Sequence, residues 1–388
     1  MQAKVLLTAL AVLVALAGCT SPSDDDRREP AAARQTGTSS SVEPSPPESP
    51  AFVGRRSPLV QDLWRPVGDL PPLRTVLPGG LRFDKIQQAP LLHEAPINLA
   101  VLAVGTVPQP YSVGEVAVMG PGGEWRIVNR ESVGMRNADI VEQQFMLSPN
   151  GRLLALGDEF GVVVVELATG TAVRIKVPAK DPVLHWWSPD STSLVLTPRG
   201  GTKRALAIRV VDRVVERVGY HAWSSLPGAP DRVAELVPNP RSAEEDRLAS
   251  GDAYSAIQHW RADQETTYVS LEHAISSDAR VGGQWSSWIG VVQGAYPEGQ
   301  QSARGVLAVD PATGRTGGLL ALTPRQIVWA SVGGALDDRW LLLQLTFGPG
   351  GGLVAWDPVA AQLRGVLPID EQAANVSIAM GLVSDSLR

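Results

Sequence analysis

The feature that most constrains this chain is a repeated unit of about forty residues that contains an aromatic strand and a Ser-Pro turn. One copy begins with residues 145–151, and the next repeats the turn forty residues later, with Ser188 in the place of Ser148. Proline presets φ at the second turn position, and Asn150 or Gly151 accepts the left-handed geometry that follows. Each copy therefore predicts four short strands joined by tight turns.

Weaker copies extend this pattern along most of the chain. Six units can be recognised, and they start near residues 83, 141, 182, 220, 272 and 326. The turn before the last strand recurs at residues 310–314 and 357–361. Repeats of this length with four strands each are typical of β-propeller blades. The sequence predicts an all-β fold, a β-propeller of six four-stranded blades over residues 59–388, with seven blades as the alternative.

The carboxyl-terminal residues predict how such a ring closes. Residues 374–383 read as one more strand with no partner strands after them. We expect this strand to pair with the amino-terminal part of the domain, between residues 59 and 104, because a shared blade leaves no open sheet edge. Seven blades would require residues 73–83 to supply more than one strand, and this segment is short for that.

The Ser-Pro-Asp/Asn-Gly turn after a strand with Trp or Phe resembles the WD-type and TolB-type propeller repeats. The resemblance covers most of residues 83–368 and is most specific in residues 145–220. The Gly-His and Trp-Asp dipeptides that end true WD repeats are absent. Trp356-Asp357 has the same two residues, but it precedes a turn and does not end a unit. The resemblance implies a propeller fold, and a fold alone does not name a partner.

The amino terminus predicts an export signal over residues 1–18. Residues 5–17 carry no charge but are too short to span a bilayer of about 30 Å. The run ends in Leu16-Ala17-Gly18 and then Cys19, the only cysteine. This ending resembles the lipobox of bacterial lipoproteins, in which the small residues are read by the signal peptidase. The resemblance implies cleavage before Cys19, lipidation of its thiol and anchoring at the extracytoplasmic face of the cell membrane. An ordinary secreted protein with one chance cysteine is the alternative.

Residues 19–58 differ in composition from the rest of the chain. They are rich in Ser, Pro and charged residues and nearly lack large apolar side chains. Such a segment cannot offset the entropy of ordering, so we predict a disordered, semi-extended tether. A propeller behind a lipobox is similar in outline to the accessory lipoproteins of some actinobacterial sensor kinases. We expect this chain to differ from those proteins in lacking room for their additional amino-terminal domains.

Four of the five histidines recur at one place in the unit, three or four residues before a predicted turn. In a propeller the first strand of each blade lines the central channel. If the histidines lie on these first strands, a ring of imidazoles could hold a metal ion. The alternative is that each histidine packs within its own blade, and the absence of recurring carboxylates or cysteines favours it. The metal candidates are therefore weak, and no metal or cofactor is predicted. They are His93, His185, His221 and His273.

Tryptophans also recur beside the first and second strands of the predicted blades. A channel lined with aromatic faces could bind sugars or peptides, whereas tryptophans between blades would fill the wedges of the ring. The sequence leaves both interpretations open. The residues concerned are Trp186, Trp187, Trp223, Trp285, Trp288 and Trp329.

Motifs of catalysis are missing from the sequence. It contains no Gly-x-Ser-x-Gly elbow, His-Glu-x-x-His pair, P-loop or dinucleotide fingerprint. The net charge of -6 is mild and interspersed, which argues against a nucleic-acid partner. We predict a non-enzymatic binding or scaffolding module for an envelope protein or peptide. The alternatives are a secreted lactonase or glycan-processing hydrolase, and a metal or small-ligand sensor that uses the histidines.

Overall fold

A computed structural model describes part of the chain. The predicted signal peptide, Cys19 and nearly all of the predicted tether lie outside the described residues. No described helix combines the length and apolar character needed to cross a bilayer. The described residues are 55–56, 67–81, 83–106, 115–129, 131–135, 145–159, 161–178, 181–199, 204–229, 231–238, 254–261, 264–275, 279–285, 287–293, 305–321, 327–347, 351–369 and 373–387.

Six antiparallel sheets with four strands each form the blades of a β-propeller, which confirms the predicted fold and the number of blades. Blade 1 contains β2 (Leu102–Thr106), β3 (Val116–Met119), β4 (Trp125–Val128) and β25 (Ala373–Ile378). Blade 2 contains β5 (Phe145–Leu147), β6 (Leu153–Asp158), β7 (Gly161–Glu166) and β8 (Thr171–Lys176). Blade 3 contains β9 (Val183–Trp187), β10 (Ser193–Thr197), β11 (Arg204–Arg209) and β12 (Val214–His221).

The second half of the chain forms blades 4 to 6. Blade 4 contains β13 (Ser225–Ala229), β14 (Arg232–Val237), β15 (Tyr254–Arg261) and β16 (Gln264–Ile275). Blade 5 contains β17 (Arg280–Val281), β18 (Ile289–Gln293), β19 (Gly305–Val309) and β20 (Thr316–Ala321), with β1 (Arg55–Arg56) added outside β20. Blade 6 contains β21 (Ile327–Ala335), β22 (Leu341–Phe347), β23 (Gly352–Asp357) and β24 (Gln362–Pro368).

The two ends of the domain share blade 1, as predicted. β25 pairs antiparallel with β2, with Ile378 opposite Leu102. The predicted strand is too long at its end, because residues from Met380 form a helix, α2 (Met380–Asp385). Met380 and Val383 are both buried in the cluster between blades 6 and 1, and a helix brings residues three apart to one face.

Several predicted unit boundaries are wrong. The unit expected near residue 83 begins with a short helix, α1 (Phe83–Gln87), and takes its inner strand from β25 instead. The first strands of blades 4 and 5 begin at Ser225 and Arg280, several residues later than predicted. The outer strands β12 and β16 are long and absorb the residues that were expected to start the next blade.

Clusters of buried apolar side chains lie between neighbouring blades and hold the described part of the ring together. Ala155 and Val164 of blade 2, for example, pack with Leu194 of blade 3. The cluster between blades 3 and 4 differs, because it is small and aromatic and includes Trp186 and Tyr220. This interface therefore places an indole and a phenol in contact with each other at its centre.

The repeated Ser-Pro turn has the geometry that its sequence predicts. In blade 2 the Ser148 hydroxyl donates to Asn150 and accepts from the backbone N–H of Leu153. In blade 3 the Ser188 hydroxyl donates to Asp190, 2.6 Å away, in the same way. Gly151 closes the first turn with φ +67°, and an added Cβ there would lie 2.3 Å from the Ala100 carbonyl oxygen. This turn therefore requires glycine.

The segment before β2 contacts the outer strands of three blades in succession. β1 pairs parallel with β20 of blade 5, Pro72 bridges to Gly365 of blade 6, and Leu91 bridges to Ile127 of blade 1. An outer strand otherwise presents unpaired backbone groups that can recruit another chain. Through these contacts, the segment covers part of the outer edges of blades 5, 6 and 1.

Candidate functional site

The central channel contains a cavity of about 260 Å³. Its walls are mostly the innermost strands of the blades, including Met146 of β5, Leu184 of β9, Val332 of β21 and Ile378 of β25. Most of the lining side chains are apolar, and Arg280 is the one lining residue in the described part of the chain with a formal charge. A largely apolar cavity with few polar groups is typical of a ligand site.

Three side chains from different parts of the ring meet at this cavity. Trp223 lies on the short turn between β12 and β13 and is 40% exposed, which is unusual for so large an apolar side chain. The Arg280 guanidinium lies over the Trp223 ring, 5.1 Å from its centroid. The His185 ring contacts Trp223 edge-on, with 4.5 Å between the ring centroids. Together they present an indole, a cation and an imidazole to one space.

The imidazole of His185 is neutral at physiological pH. Burial in the channel and the nearby positive charge of Arg280 lower the pKa of His185 to about 3. Its Nε2 atom forms a 2.8 Å hydrogen bond with the buried Thr197 hydroxyl. The cavity therefore has one positive charge among its described lining residues, and the imidazole adds polarity without adding charge.

A chain of aromatic contacts leads from the cavity into the interface between blades 3 and 4. Trp186 lines the cavity and stacks on Tyr220, whose ring meets Trp260 edge-on at a centroid distance of 6.1 Å. The Trp260 Nε1–H group then donates to a carboxylate oxygen of Glu235, 2.8 Å away. The other carboxylate oxygen accepts the backbone N–H of His221 at 2.9 Å.

Glu235 is an unusual residue to find in this interface, because only 4% of it is exposed. Burial raises the pKa of Glu235 to about 7, although the hydrogen bonds from His221 and Trp260 favour the ionised form and lower it in part. His221 stands two residues before Trp223. Glu235 therefore binds the backbone at the base of the turn that carries the exposed indole.

The structure places the four candidate histidines on elements that are not equivalent in their blades. Of the four, only His185 lies on a first strand, whereas His221 and His273 lie on the fourth strands β12 and β16. His93 lies in an exposed turn that packs against Gly170. The expected equivalence is wrong because the long outer strands shift the register of the units. Among the described residues no three His, Cys, Asp or Glu side chains are placed to hold a metal ion.

The tryptophans divide between the two interpretations left open by the sequence. Trp187 packs between blades 2 and 3 and donates to the Met146 carbonyl, and Trp285 donates to the Leu226 carbonyl across blades 4 and 5. Trp288 packs against the cluster between blades 5 and 6. Trp186 and Trp187 also line the channel cavity but are buried, whereas Trp223 is exposed there. The Trp329 side chain lies outside what is described.

Sequence reasoning missed Arg280 and Glu235. A weak signal for the channel wall was the repeated Gly-Gly pair at residues 282–283 and 333–334. An added Cβ on Gly283, which has φ +75°, would lie 2.1 Å from the Gly333 carbonyl oxygen. The first strands of blades 5 and 6 therefore approach each other closely beside Arg280, and glycine is required there. Nothing in the sequence pattern marks Glu235 as buried.

Comparison with known proteins gives similarities of fold alone. No protein-family model matches the chain, and no curated protein matches it in sequence. TolB from Acinetobacter baumannii is 14% identical with a TM-score of 0.48, and the match covers 74% of this chain and 69% of that chain. The protein lmo1340 from Listeria monocytogenes EGD-e is 12% identical with a TM-score of 0.42, covering 74% and 83%.

The carboxyl-terminal WD40 domain of Sif2 is 13% identical with a TM-score of 0.40, and the match covers 76% of this chain and 74% of that chain. The assignment of this chain as a six-bladed β-propeller rests on its own sheets and their order.

Proposed function

We propose that this protein is a lipid-anchored binding module that engages an envelope protein or peptide through its central channel. The observation that carries the proposal is the cavity at which Trp223 remains 40% exposed beside Arg280 and His185. Exposed aromatic groups next to a cation are enriched where proteins bind partners. A rigid ring with such a cavity supports binding without requiring any catalytic group.

The proposed anchor rests on Leu16-Ala17-Gly18-Cys19. Two or more acyl chains on Cys19 would hold the protein stably at the membrane, because each buried methylene contributes about 0.8 kcal/mol. The test is fractionation of cells that express the Cys19→Ser variant. We expect the variant to appear in the medium or as an uncleaved precursor. A mature-sized Cys19→Ser product that stays in the membrane fraction would contradict the anchor.

The binding proposal is tested by crosslinking in living cells, affinity purification of the full-length tagged protein and mass spectrometry. The informative variant is Trp223→Ala, and Tyr268→Ala is its matched control, because Tyr268 is also 40% exposed but lies on the outer strand β16. We expect one envelope protein to be enriched about tenfold with the wild type and with Tyr268→Ala, and to be lost with Trp223→Ala. Equal recovery with both variants, or no enriched protein, would refute the channel as the binding site.

A further inference from the structure

Part of the channel cavity forms a cleft between blades 6 and 1. Ser331 of β21, Gln344 of β22 and Leu353 of β23 are direct neighbours across the three strands, and all three line the cavity. Residues directly opposite one another on paired strands place their side chains on the same face of the sheet. The other wall is β25 of blade 1, where Val376 and Ile378 line the cavity and pack against the cluster between the two blades. The cavity therefore reaches past the innermost strand of blade 6.

Two neutral polar groups stand side by side in this cleft. Ser331 and Gln344 are partly exposed, and neither side chain forms a hydrogen bond with the described part of the chain. Among the described residues, the buried polar side-chain atoms without a partner are Trp186 Nε1 and Ser225 Oγ, so the polar atoms of Ser331 and Gln344 face accessible space. A hydroxyl and a primary amide each donate and accept hydrogen bonds. The cleft can therefore satisfy a ligand group that does both.

The walls of the cleft select against charge and against a high density of polar groups. Leu353, Val376 and Ile378 are aliphatic, so a charged group brought among them would lose its hydration and gain no opposite charge from them. The Arg280 side chain already has partners within the protein, including the Trp223 ring. A saccharide has a hydroxyl on most of its ring carbons and would leave several of them unpaired on an aliphatic wall. An amide next to an apolar side chain matches both kinds of surface.

The size of the cavity limits how much of a partner can enter. Its volume of about 260 Å³ is enough for one large side chain with the adjoining backbone, and too small for a folded element. Trp223 lines the same cavity from the junction of blades 3 and 4, which is opposite the junction of blades 6 and 1 in a ring of six. A ligand that fills the cavity therefore contacts both junctions, as successive residues of an extended peptide can do.

We propose that the cleft between blades 6 and 1 binds an uncharged segment of an extended peptide. Gln344 and Ser331 bond to the backbone N–H and C=O of one residue, which point to the same side of an extended chain. An apolar side chain of that segment packs on the aliphatic wall formed by Leu353, Val376 and Ile378. This inference rests on the proposed function, because it names the part of a peptide partner that enters the same cavity.

Isothermal titration calorimetry on the purified full chain in detergent tests the proposal with four probes. The parent probe is the peptide Ala-Ala-Leu-Ala-Ala with an acetylated amino terminus and an amidated carboxyl terminus. The second has aspartate in place of leucine, the third has an ester oxygen in place of the leucine N–H, and the fourth is N-acetyl-leucine amide. We expect the parent to bind at least tenfold more tightly than the aspartate peptide and about fivefold more tightly than the ester. N-acetyl-leucine amide should bind more weakly than the parent, because it lacks the flanking residues.

A double variant tests the two polar groups of the cleft. Gln344→Met with Ser331→Ala removes the amide and the hydroxyl and nearly keeps the shape of the wall. We expect it to bind the parent at least tenfold more weakly and to prefer the parent over the ester by about twofold or less. The matched control is Gln87→Met, which removes an exposed amide from α1 and should leave all affinities unchanged. The comparison of parent and ester on the wild type needs no variant, so it holds even if the double variant does not fold.

The proposal is overturned if the parent and the ester bind equally, if the aspartate peptide binds as tightly as the parent, if a folded double variant keeps the preference, or if no probe binds. Equal binding of N-acetyl-leucine amide and the parent would also overturn it, since the occupant would then be a small free amide. These failures are distinct from failure of the proposed function. Capture of an envelope protein that is lost with Trp223→Ala but unchanged in the double variant would show that only this inference is wrong.

Discussion

Replacing Glu235 with glutamine should change how the stability of the fold depends on pH. The carboxyl group has a pKa of about 7 in the folded protein and 4.5 as its ordinary value. The unfolded chain therefore releases this proton first, so the contribution of Glu235 to stability is fully present below pH 4.5 and is lost as the pH rises toward 7. A difference of this size corresponds to roughly 3 kcal/mol.

The glutamine side chain is neutral at every pH, so Glu235→Gln removes this loss. Near pH 4.5 the variant should be less stable than the wild type by about 1 kcal/mol, because the amide has one oxygen acceptor for the two donors His221 and Trp260, which bond to separate oxygens of the carboxyl group. Near pH 8 the variant should be more stable by about 2–3 kcal/mol, since no charge is buried.

A second buried group, His185, also contributes to the way in which the stability of the wild type depends on pH. The pKa of His185 is about 3, below its ordinary value of 6.5, so its contribution is present above pH 6.5 and is lost as the pH falls toward 3. Between pH 4.5 and 6.5 Glu235 and His185 change the free energy of unfolding in opposite directions as the pH rises. Each change is about 1.4 kcal/mol per pH unit. The two slopes cancel in the wild type, and Glu235→Gln should reveal the slope of His185.

The assay is urea unfolding followed by tryptophan fluorescence at pH 4.5, 5.5, 6.5, 7.5 and 8.5. The matched control is Glu216→Gln on β12, whose carboxylate is half exposed and paired with Arg209. This control should stay within about 0.5 kcal/mol of the wild type at every pH. A difference between Glu235→Gln and the wild type that does not grow from pH 4.5 to 8 would show that Glu235 does not titrate as inferred here.

Three substitutions test the backbone and the closure of the ring, each by thermal and urea unfolding. Gly151→Ala places a Cβ 2.3 Å from the Ala100 carbonyl oxygen at φ +67° and should cost at least about 2 kcal/mol; wild-type stability would contradict the turn geometry. Ala361→Gly relieves a left-handed residue at φ +54° and should add about 0.5–1 kcal/mol, so a loss would count against strain there. Ser377→Ala removes the hydroxyl of β25 that accepts the backbone N–H of Leu147, 2.8 Å away, and should cost about 1 kcal/mol. An unchanged midpoint for Ser377→Ala would mean that this contact between β25 and blade 2 does not stabilise the ring.

The fold could be predicted because its signals are local. The hydroxyl of Ser148 and the side chain of Asn150 satisfy backbone groups within five residues, so the same letters produce the same turn at Ser188. The closing strand was recognisable because an unpartnered run of apolar residues needs a sheet. The end of that strand was not, because the helix from Met380 is stabilised by burial between blades rather than by its own sequence.

The sequence named His185 and Trp223 as candidates, but the arrangement of the site could not be predicted because its members come together across blades. His185, Trp223 and Arg280 are separated by tens of residues, and their contacts depend on the register of each blade around the ring. The sequence placed the blade 5 unit at residue 272, near His273, although its first strand begins at Arg280. An error of several residues does not change the predicted number of blades, but it assigns the wrong side chain to the channel.

The position of Glu235 links the unusual interface to the channel. The interface between blades 3 and 4 buries a carboxyl group at the cost of stability above neutral pH. What that carboxyl group holds is the His221 backbone N–H, two residues before the exposed Trp223. A carboxylate accepts a hydrogen bond more strongly than a neutral acid, so ionisation of Glu235 should fix the turn more firmly while it destabilises the ring. Local rules of stability are most often broken where a functional group must be positioned, and here the residue positioned is the indole at the mouth of the proposed site.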